Sequence, residues 1–300
     1  MTIAEWSGIL LKASLPGIVF ATGLATSRAD VTWILKDVGL LLRSMLSMNV
    51  IAPLFAIALA AALPLAPPVR IALVALAVAP VPPLLPRKQQ KAAGQPSYAI
   101  SMLVTSAVLS IVVIPVTLEL LSHVIGRPLG IGVSSLATLV AKSVLIPLAL
   151  GIAVHAVVPS SAAAARPIGT MSTILLAAGV LPLLVHSAPA FRTLVGDGTL
   201  LVIVTFTVGA LIMGHWLGGP ERDNRTVLAL STASRHPGIA IAIATANFPD
   251  EKLVMPAVLL FVLVSALVAL PYVKLSRRRH DQPALRATPP SVGETPSRQP

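Results

Sequence analysis

The stretch that decides the fold lies near the C-terminal end of the chain, where residues 225–238 read RTVLALSTASRHPG. A matching stretch, residues 70–83, reads RIALVALAVAPVPP, and in both a proline follows an arginine by twelve residues. A helical arm of that length is about 18 Å long, so each proline should lie near the middle of a bilayer. Because proline lacks an N–H and clashes with the preceding turn, the sequence predicts two helices that break inside a membrane.

The composition predicts a polytopic membrane protein. The 300 residues are 55% hydrophobic and only 11% charged, whereas a soluble domain carries about 25% charged residues. The apolar runs are long and unbroken, which argues against a β-barrel, since its strands alternate in polarity. The chain has no cysteine, which excludes disulfide scaffolds and thiolate metal sites.

Nine apolar segments are long enough to cross a bilayer, and the short polar gaps between them fit helix hairpins. We therefore expect an all-α transmembrane domain over residues 1–275, with spans at 9–26, 40–63, 69–94, 97–121, 131–157, 168–187, 198–217, 226–247 and 253–273. Residues 276–300 are rich in Pro, Ser, Thr and Arg. This composition predicts a disordered cytoplasmic tail.

The basic residues predict the orientation. The net charge is +11, but Lys and Arg stand at the ends of the spans, so lipid rather than nucleic acid is the expected partner. With the N-terminus outside, fifteen of the 22 basic residues lie inside and five outside. We expect the N-terminus outside, the C-terminus inside, and, without a transit peptide, a bacterial inner membrane.

The two broken helices run in opposite directions, because an odd number of crossings separates them. Interrupted helices at matching places in inverted halves are the sequence pointer to the binding site of a secondary transporter. Ordinary kinking by clustered prolines is the alternative. The residues predicted to form the breaks are Pro80, Pro82, Pro83, Pro237 and Gly238.

Charged residues inside the spans are candidates for function, because an ionisable group in hydrocarbon costs several kcal/mol. Arg235 lies ten residues into its span; it either pairs with carbonyls freed at the break or binds an anion, and both can hold. His236 is either structural or a proton-linked switch. Lys142 is a second intramembrane cation unless it reaches the interface. Arg87, Lys88 and Lys91 are interpreted as positive-inside anchors.

The distribution of the acidic residues indicates the sign of the substrate's charge. None of the eleven Asp and Glu residues lies in the middle of a span, so no carboxylate is available to balance a metal cation. An intramembrane site with positive charge and half-helix N-termini should prefer an anion. The six histidines stand on different segments without paired acids, which predicts no enzyme activity, no metal site and no cofactor.

Four stretches resemble the bile acid:sodium symporter family. They are residues 15–24 (LPGIVFATGL), the proline-broken third span through Gly94, residues 146–151 (IPLALG) and residues 235–242 (RHPGIAIA). The resemblance implies an inverted-repeat fold in which two broken helices cross in a core domain beside a panel domain. Spans 9–26, 131–157 and 168–187 would form the panel and the other six the core.

The sequence departs from the resembled family at its sodium-binding positions. By alignment these fall on Leu85, Pro86, Ala99, Leu103, Ser231, Arg235 and His236. The expected function is therefore transport of a small organic anion, sodium-independent or proton-linked, with Arg235 or Lys142 replacing the charge of sodium. The substrate-binding candidates are Arg235, His236, Ser231, Thr232, Ser234, Pro82 and Pro83. Sodium coupling through backbone oxygens, or a non-transporting sensor or scaffold, are the alternatives.

Overall fold

The all-α fold is confirmed by the computed structural model, which describes residues 3–126, 128–196 and 198–286. Within those ranges the chain forms α-helices and no β-strand. In chain order the helices are α1 (Ile3–Leu24), α2 (Arg28–Val31), α3 (Val38–Leu46), α4 (Ala52–Ala62), α5 (Pro67–Val78), α6 (Leu85–Lys91), α7 (Pro96–Ile125), α8 (Val133–Val140), α9 (Ile146–Val157), α10 (Ala162–Leu194), α11 (Thr199–Leu217), α12 (Arg222–Ala233), α13 (Pro237–Asn247) and α14 (Val254–Arg286).

In the described ranges, eight helical stretches are long and apolar enough to cross a membrane. One of them combines α3 and α4, which a π-helical turn at Ser47–Ile51 joins, and another combines α8 and α9, joined by a π turn at Ala141–Leu145. The ninth expected span, 69–94, consists of α5 and α6. Neither half reaches spanning length alone, because the interruption divides the segment.

Close packing of small residues joins three helices of the expected panel. Helix α1 runs along α10 and also packs against α9. A Cβ atom added at Gly23 would lie 2.5 Å from the carbonyl oxygen of Leu148 and 3.0 Å from the Cα atom of Gly151. Backbones this close are typical of small-residue contacts between membrane helices, so these glycines set the spacing between α1 and α9.

The broken segment α12–α13 lies at the centre of the molecule and α10 at its edge. In an apolar stretch of 18 residues within 222–247, 72% of the residues are buried, whereas in a stretch of the same length within 159–194 only 17% are buried. Phe206 of α11 is fully buried beside this centre, with its ring 6.1 Å from that of Phe55 and 5.6 Å from that of Phe261. The second break is therefore enclosed by other helices.

The C-terminal segment differs from the expectation. Helix α14 continues to Arg286, so residues 276–286, expected to be disordered, are helical. Extending an existing helix adds a hydrogen bond per residue without the cost of nucleation, which composition alone does not reveal. The rest of the expected tail, 287–300, lies outside the described residues.

Candidate functional site

Both proline-rich stretches interrupt their helices. Helix α5 ends at Val78 and α6 begins at Leu85, so the first interruption contains Pro80, Pro82 and Pro83. The second interruption is shorter and comprises residues 234–236. Pro237 and Gly238, expected within this break, are instead the first two residues of α13. Proline suits that first position because its missing N–H has no helical partner there.

The two interruptions lie against each other and bond through the backbone, and we call this place of contact the crossing. The N–H of His236 donates to the carbonyl oxygen of Pro80 at 2.8 Å. A side chain makes a second link, since Nη1 of Arg235 donates to the carbonyl oxygen of Ala79 at 3.2 Å. The crossing point is thus fixed by polar groups that neither helix satisfies internally.

The guanidinium of Arg235 is held by three backbone carbonyls. Besides the bond to Ala79, Nη2 donates to the carbonyl oxygen of Met48 at 2.9 Å and Nε to that of Thr232 at 3.2 Å. Only 6% of the residue is exposed. The side chain therefore joins the end of α12, the first interruption and the π turn between α3 and α4.

Each of these carbonyls lacks its usual helical donor. Met48 lies in the π turn, five residues before Pro53, and proline has no N–H to give. Ala79 follows the end of α5 with an extended backbone, so no helical N–H faces its carbonyl. The N–H four residues after Thr232 belongs to His236, which donates to Pro80 instead. The three oxygens face three different nitrogens of one guanidinium, which supplies both the donors and the positive charge that they need.

Arg235 also lines a cavity of about 270 Å³ between α6, the second interruption and α14. The polar residues in its wall are Lys88, Ser234, Arg235 and Ser265, and none of the described residues lining it is acidic. Pro82 and Pro237 also contribute. Three predicted site residues, Pro82, Ser234 and Arg235, thus meet at a cavity whose charged groups are both positive.

Four other predicted site residues do not line this cavity, and three of them have protein partners. The Ser231 hydroxyl accepts from Nε2 of Gln89 at 2.8 Å, and the Thr232 hydroxyl pairs with that of Ser47 at 2.8 Å. Nδ1 of His236 accepts the N–H of Ile239 at 3.4 Å, while its buried Nε2 finds no partner in the described part of the chain. The fourth is Pro83, which is buried.

Lys142 is far less enclosed than Arg235. It lies in the π turn between α8 and α9, and its side chain is exposed. This turn comes shortly before Pro147, just as the π turn between α3 and α4 comes shortly before Pro53. The structure thus separates the two candidate cations, with Arg235 buried beside the two interruptions and Lys142 exposed on the segment α8–α9.

Helix α6 carries three polar residues whose roles the sequence did not reveal. Gln89 is fully buried and donates to the carbonyl oxygen of Val227 as well as to Ser231. Lys88 lines the cavity at Arg235. Arg87 reaches α10, where Nη1 donates to the carbonyl oxygen of Gly169 at 2.9 Å. In the sequence, only the position of these residues directly after a break could have indicated a role beyond anchoring the helix at the membrane surface.

Comparison with known families agrees with this architecture. The model of the sodium bile acid symporter family matches residues 14–192, which is more than half of the chain. This chain belongs to the sodium bile acid symporter family. A search of the curated proteins found no match. Members of the family are transporters rather than enzymes, so this symporter-family protein is an integral membrane protein of the transporter type.

The family match includes the first interruption but stops before α11. Arg235 and the second interruption therefore lie outside it, and their interpretation depends on geometry. Among the described residues, no three His, Asp or Glu side chains come together as metal ligands. The polar groups at the crossing are instead backbone oxygens and one guanidinium.

Proposed function

We propose that this symporter-family protein is a secondary transporter that moves a small organic anion without sodium, by alternating access of the panel against the core. The observation that carries the proposal is the guanidinium of Arg235, held by the carbonyl oxygens of Met48, Ala79 and Thr232 at the crossing of the interrupted helices.

The ligands of Arg235 are of the kind that a sodium ion takes. Unwound backbone carbonyls in broken helices coordinate sodium in secondary transporters. Here they hold a positive charge that belongs to the chain and stays in place throughout the transport cycle. A site with permanent positive charge needs no bound cation to attract an anion, so we propose that sodium coupling is lost.

The surroundings of Arg235 support an anionic substrate. Lys88 lines the same cavity, and of the described residues in its wall none carries negative charge. Two nearby cations in a poorly hydrated site raise the local positive potential. We further propose that the N-terminus lies outside and the C-terminus in the cytoplasm of a bacterial inner membrane, as the basic residues favour.

The test is uptake into proteoliposomes that contain the purified protein. Radiolabelled organic anions, a sulfonate (taurocholate) and a carboxylate (pyruvate), are supplied with sodium or with choline in its place, at about pH 6 and about pH 8. We expect one of them to enter in amounts well above one molecule per protein, equally with sodium and choline. Uptake that requires sodium would establish the sodium-coupled alternative, and binding without net uptake would establish a sensor.

The Arg235→Ala variant tests the role of the fixed charge. Its uptake without sodium should fall about tenfold or more, since each 1.4 kcal/mol of lost interaction is a factor of ten. Lys12→Ala, which removes an exposed cation from α1, serves as the control. Equal uptake by the wild type and Arg235→Ala would contradict the proposal.

A further inference from the structure

A second cavity, of about 380 Å³, lies between the panel and the core. Helices α1 and α10 line it on the panel side, and α6 and α7 on the core side. Its polar side chains are Thr22, Thr26, Arg87, Gln90, Arg166 and Thr170, and the described part of its wall includes no Asp or Glu. The proposed orientation places this cavity at the inner end of the molecule.

Arg87 connects the two sides of this cavity. From α6 its Nη1 donates to the carbonyl oxygen of Gly169 at 2.9 Å and to Oγ1 of Thr173 at 3.2 Å, both on α10. A Cβ atom at Gly169 would overlap the guanidinium, so any other residue at this position would displace the guanidinium from where it lies. We name the contact between Arg87 and Gly169 the latch, because it holds the panel to the core.

The cavity contains donors that protein atoms do not satisfy. Nε and Nη2 of Arg87 have no hydrogen-bond acceptor among the described residues, and neither does the exposed guanidinium of Arg166. The hydroxyl of Thr22 donates to a backbone carbonyl of its own helix, as do those of Thr26 and Thr170. What the cavity lacks is an acceptor with negative charge.

We propose that the cavity binds the carboxylate or sulfonate group of the transported anion between Arg87 and Arg166, and that the anion opens the latch by competing with Gly169 for Arg87. The inference rests on the proposed function and adds a second place for the anionic group, separate from the cavity at Arg235, together with the way in which binding there frees the panel. Either group offers oxygens to both guanidiniums, one from each side of the interface.

The proposal predicts opposite effects for two kinds of substitution. Arg87→Gln and Arg166→Gln each remove one positive side chain that would bind the anion, so each should raise the KM for uptake about tenfold or more. Gly169→Ala displaces the Arg87 guanidinium from the latch but keeps its charge. Because the anion no longer competes with Gly169, the KM of Gly169→Ala should fall, by up to about tenfold.

The measurement is the KM and maximal rate of uptake in proteoliposomes, with radiolabelled taurocholate as the sulfonate probe and cholate as the carboxylate probe. Arg192→Gln changes an exposed arginine in the last turn of α10, and Gly8→Ala adds a Cβ where no atom lies within 4 Å. Both controls should keep the wild-type KM. The guanidinium of Arg166 makes no hydrogen bond or ion pair to a described residue, so Arg166→Gln should also keep the wild-type unfolding temperature.

The outcomes separate this proposal from the proposed function. If the wild type takes up a probe but Arg87→Gln and Arg166→Gln keep the wild-type KM, the anionic group does not bind between Arg87 and Arg166. If Gly169→Ala raises the KM as Arg87→Gln does, the latch is structural only and its release by the anion is wrong. If the wild type takes up neither probe, the proposed function fails. Equilibrium binding of the same probes then tests the site, which is wrong if Arg166→Gln binds them as the wild type does.

Discussion

Removing the guanidinium at position 235 should destabilise the fold by an amount that follows from its three hydrogen bonds. Arg235→Ala leaves the carbonyl oxygens of Met48, Ala79 and Thr232 without a donor. A buried polar group that loses its partner costs about 1–3 kcal/mol. Water can enter from the cavity that Arg235 lines, which favours the lower value for each oxygen. The expected loss is therefore about 3 kcal/mol.

The assay is thermal unfolding of the purified protein in detergent. A loss of about 3 kcal/mol in a chain of this size lowers the midpoint by about 6–12 °C, at 2–4 °C for each kcal/mol. Lys12→Ala should unfold at the wild-type temperature. The unfolding temperature of Arg235→Lys should lie between those of Arg235→Ala and the wild type, because lysine retains the positive charge but lacks the planar guanidinium that reaches three elements.

Sodium provides the sharper part of this prediction. Without the guanidinium, the three carbonyls have no positive charge beside them, so sodium should raise the midpoint of Arg235→Ala but not that of the wild type. At ten times its dissociation constant, sodium would restore about 1.4 kcal/mol. An Arg235→Ala protein that unfolds within about 1 °C of the wild type would refute the reasoning about the carbonyls.

Three further predictions concern other parts of the molecule. Gly23→Leu should separate α1 from α9 and lower the unfolding temperature in detergent, whereas Gly8→Ala should not. Partial burial raises the pKa of Asp30, but hydrogen bonds from side chains and backbone outweigh it, and the pKa lies below its ordinary value. Asp30 therefore stabilises the fold above about pH 4, and less as pH falls through its folded pKa; Asp30→Ala should cost about 1 kcal/mol at pH 7 and weaken the acid dependence of unfolding. Since the chain has no cysteine, Gly130→Cys should react with an impermeant maleimide in intact cells and Ser160→Cys only after permeabilisation; the reverse pattern would invert the proposed orientation.

The membrane class and the position of the first break could be predicted because they depend on local properties. Apolar length identifies the spans, and the missing N–H of Pro80, Pro82 and Pro83 interrupts the third span wherever it packs. The second interruption, at 234–236, comes just before Pro237 rather than at it. The backbone of His236 bonds to Pro80, and such a contact between distant segments has no sequence signal.

The residues around the site were harder to predict, because their roles depend on partners far away in sequence. Gln89 bonds to residues 138 and 142 positions away, and Arg87 to residues 82 and 86 positions away. In sequence, both stand in a short basic segment that resembles an anchor at the membrane surface. Ser231 and Thr232 were predicted to bind substrate because they are polar and near the break, but the sequence did not reveal that their hydroxyls also bond to Gln89 and Ser47.

The prolines explain why a cation is required at the crossing. Pro53 removes the N–H that the carbonyl of Met48 needs, the proline-rich first break leaves the carbonyl of Ala79 outside any helix, and the second break frees the carbonyl of Thr232. Three oxygens in one enclosed place create a negative potential that water alone would neutralise poorly. A mobile ion could fill the place and leave during transport, and the transporter would then be coupled to that ion. Under the proposed function, the guanidinium of Arg235 fills the place instead and stays attached to the chain, so the residue that stabilises the crossing would also leave no reason for sodium to bind.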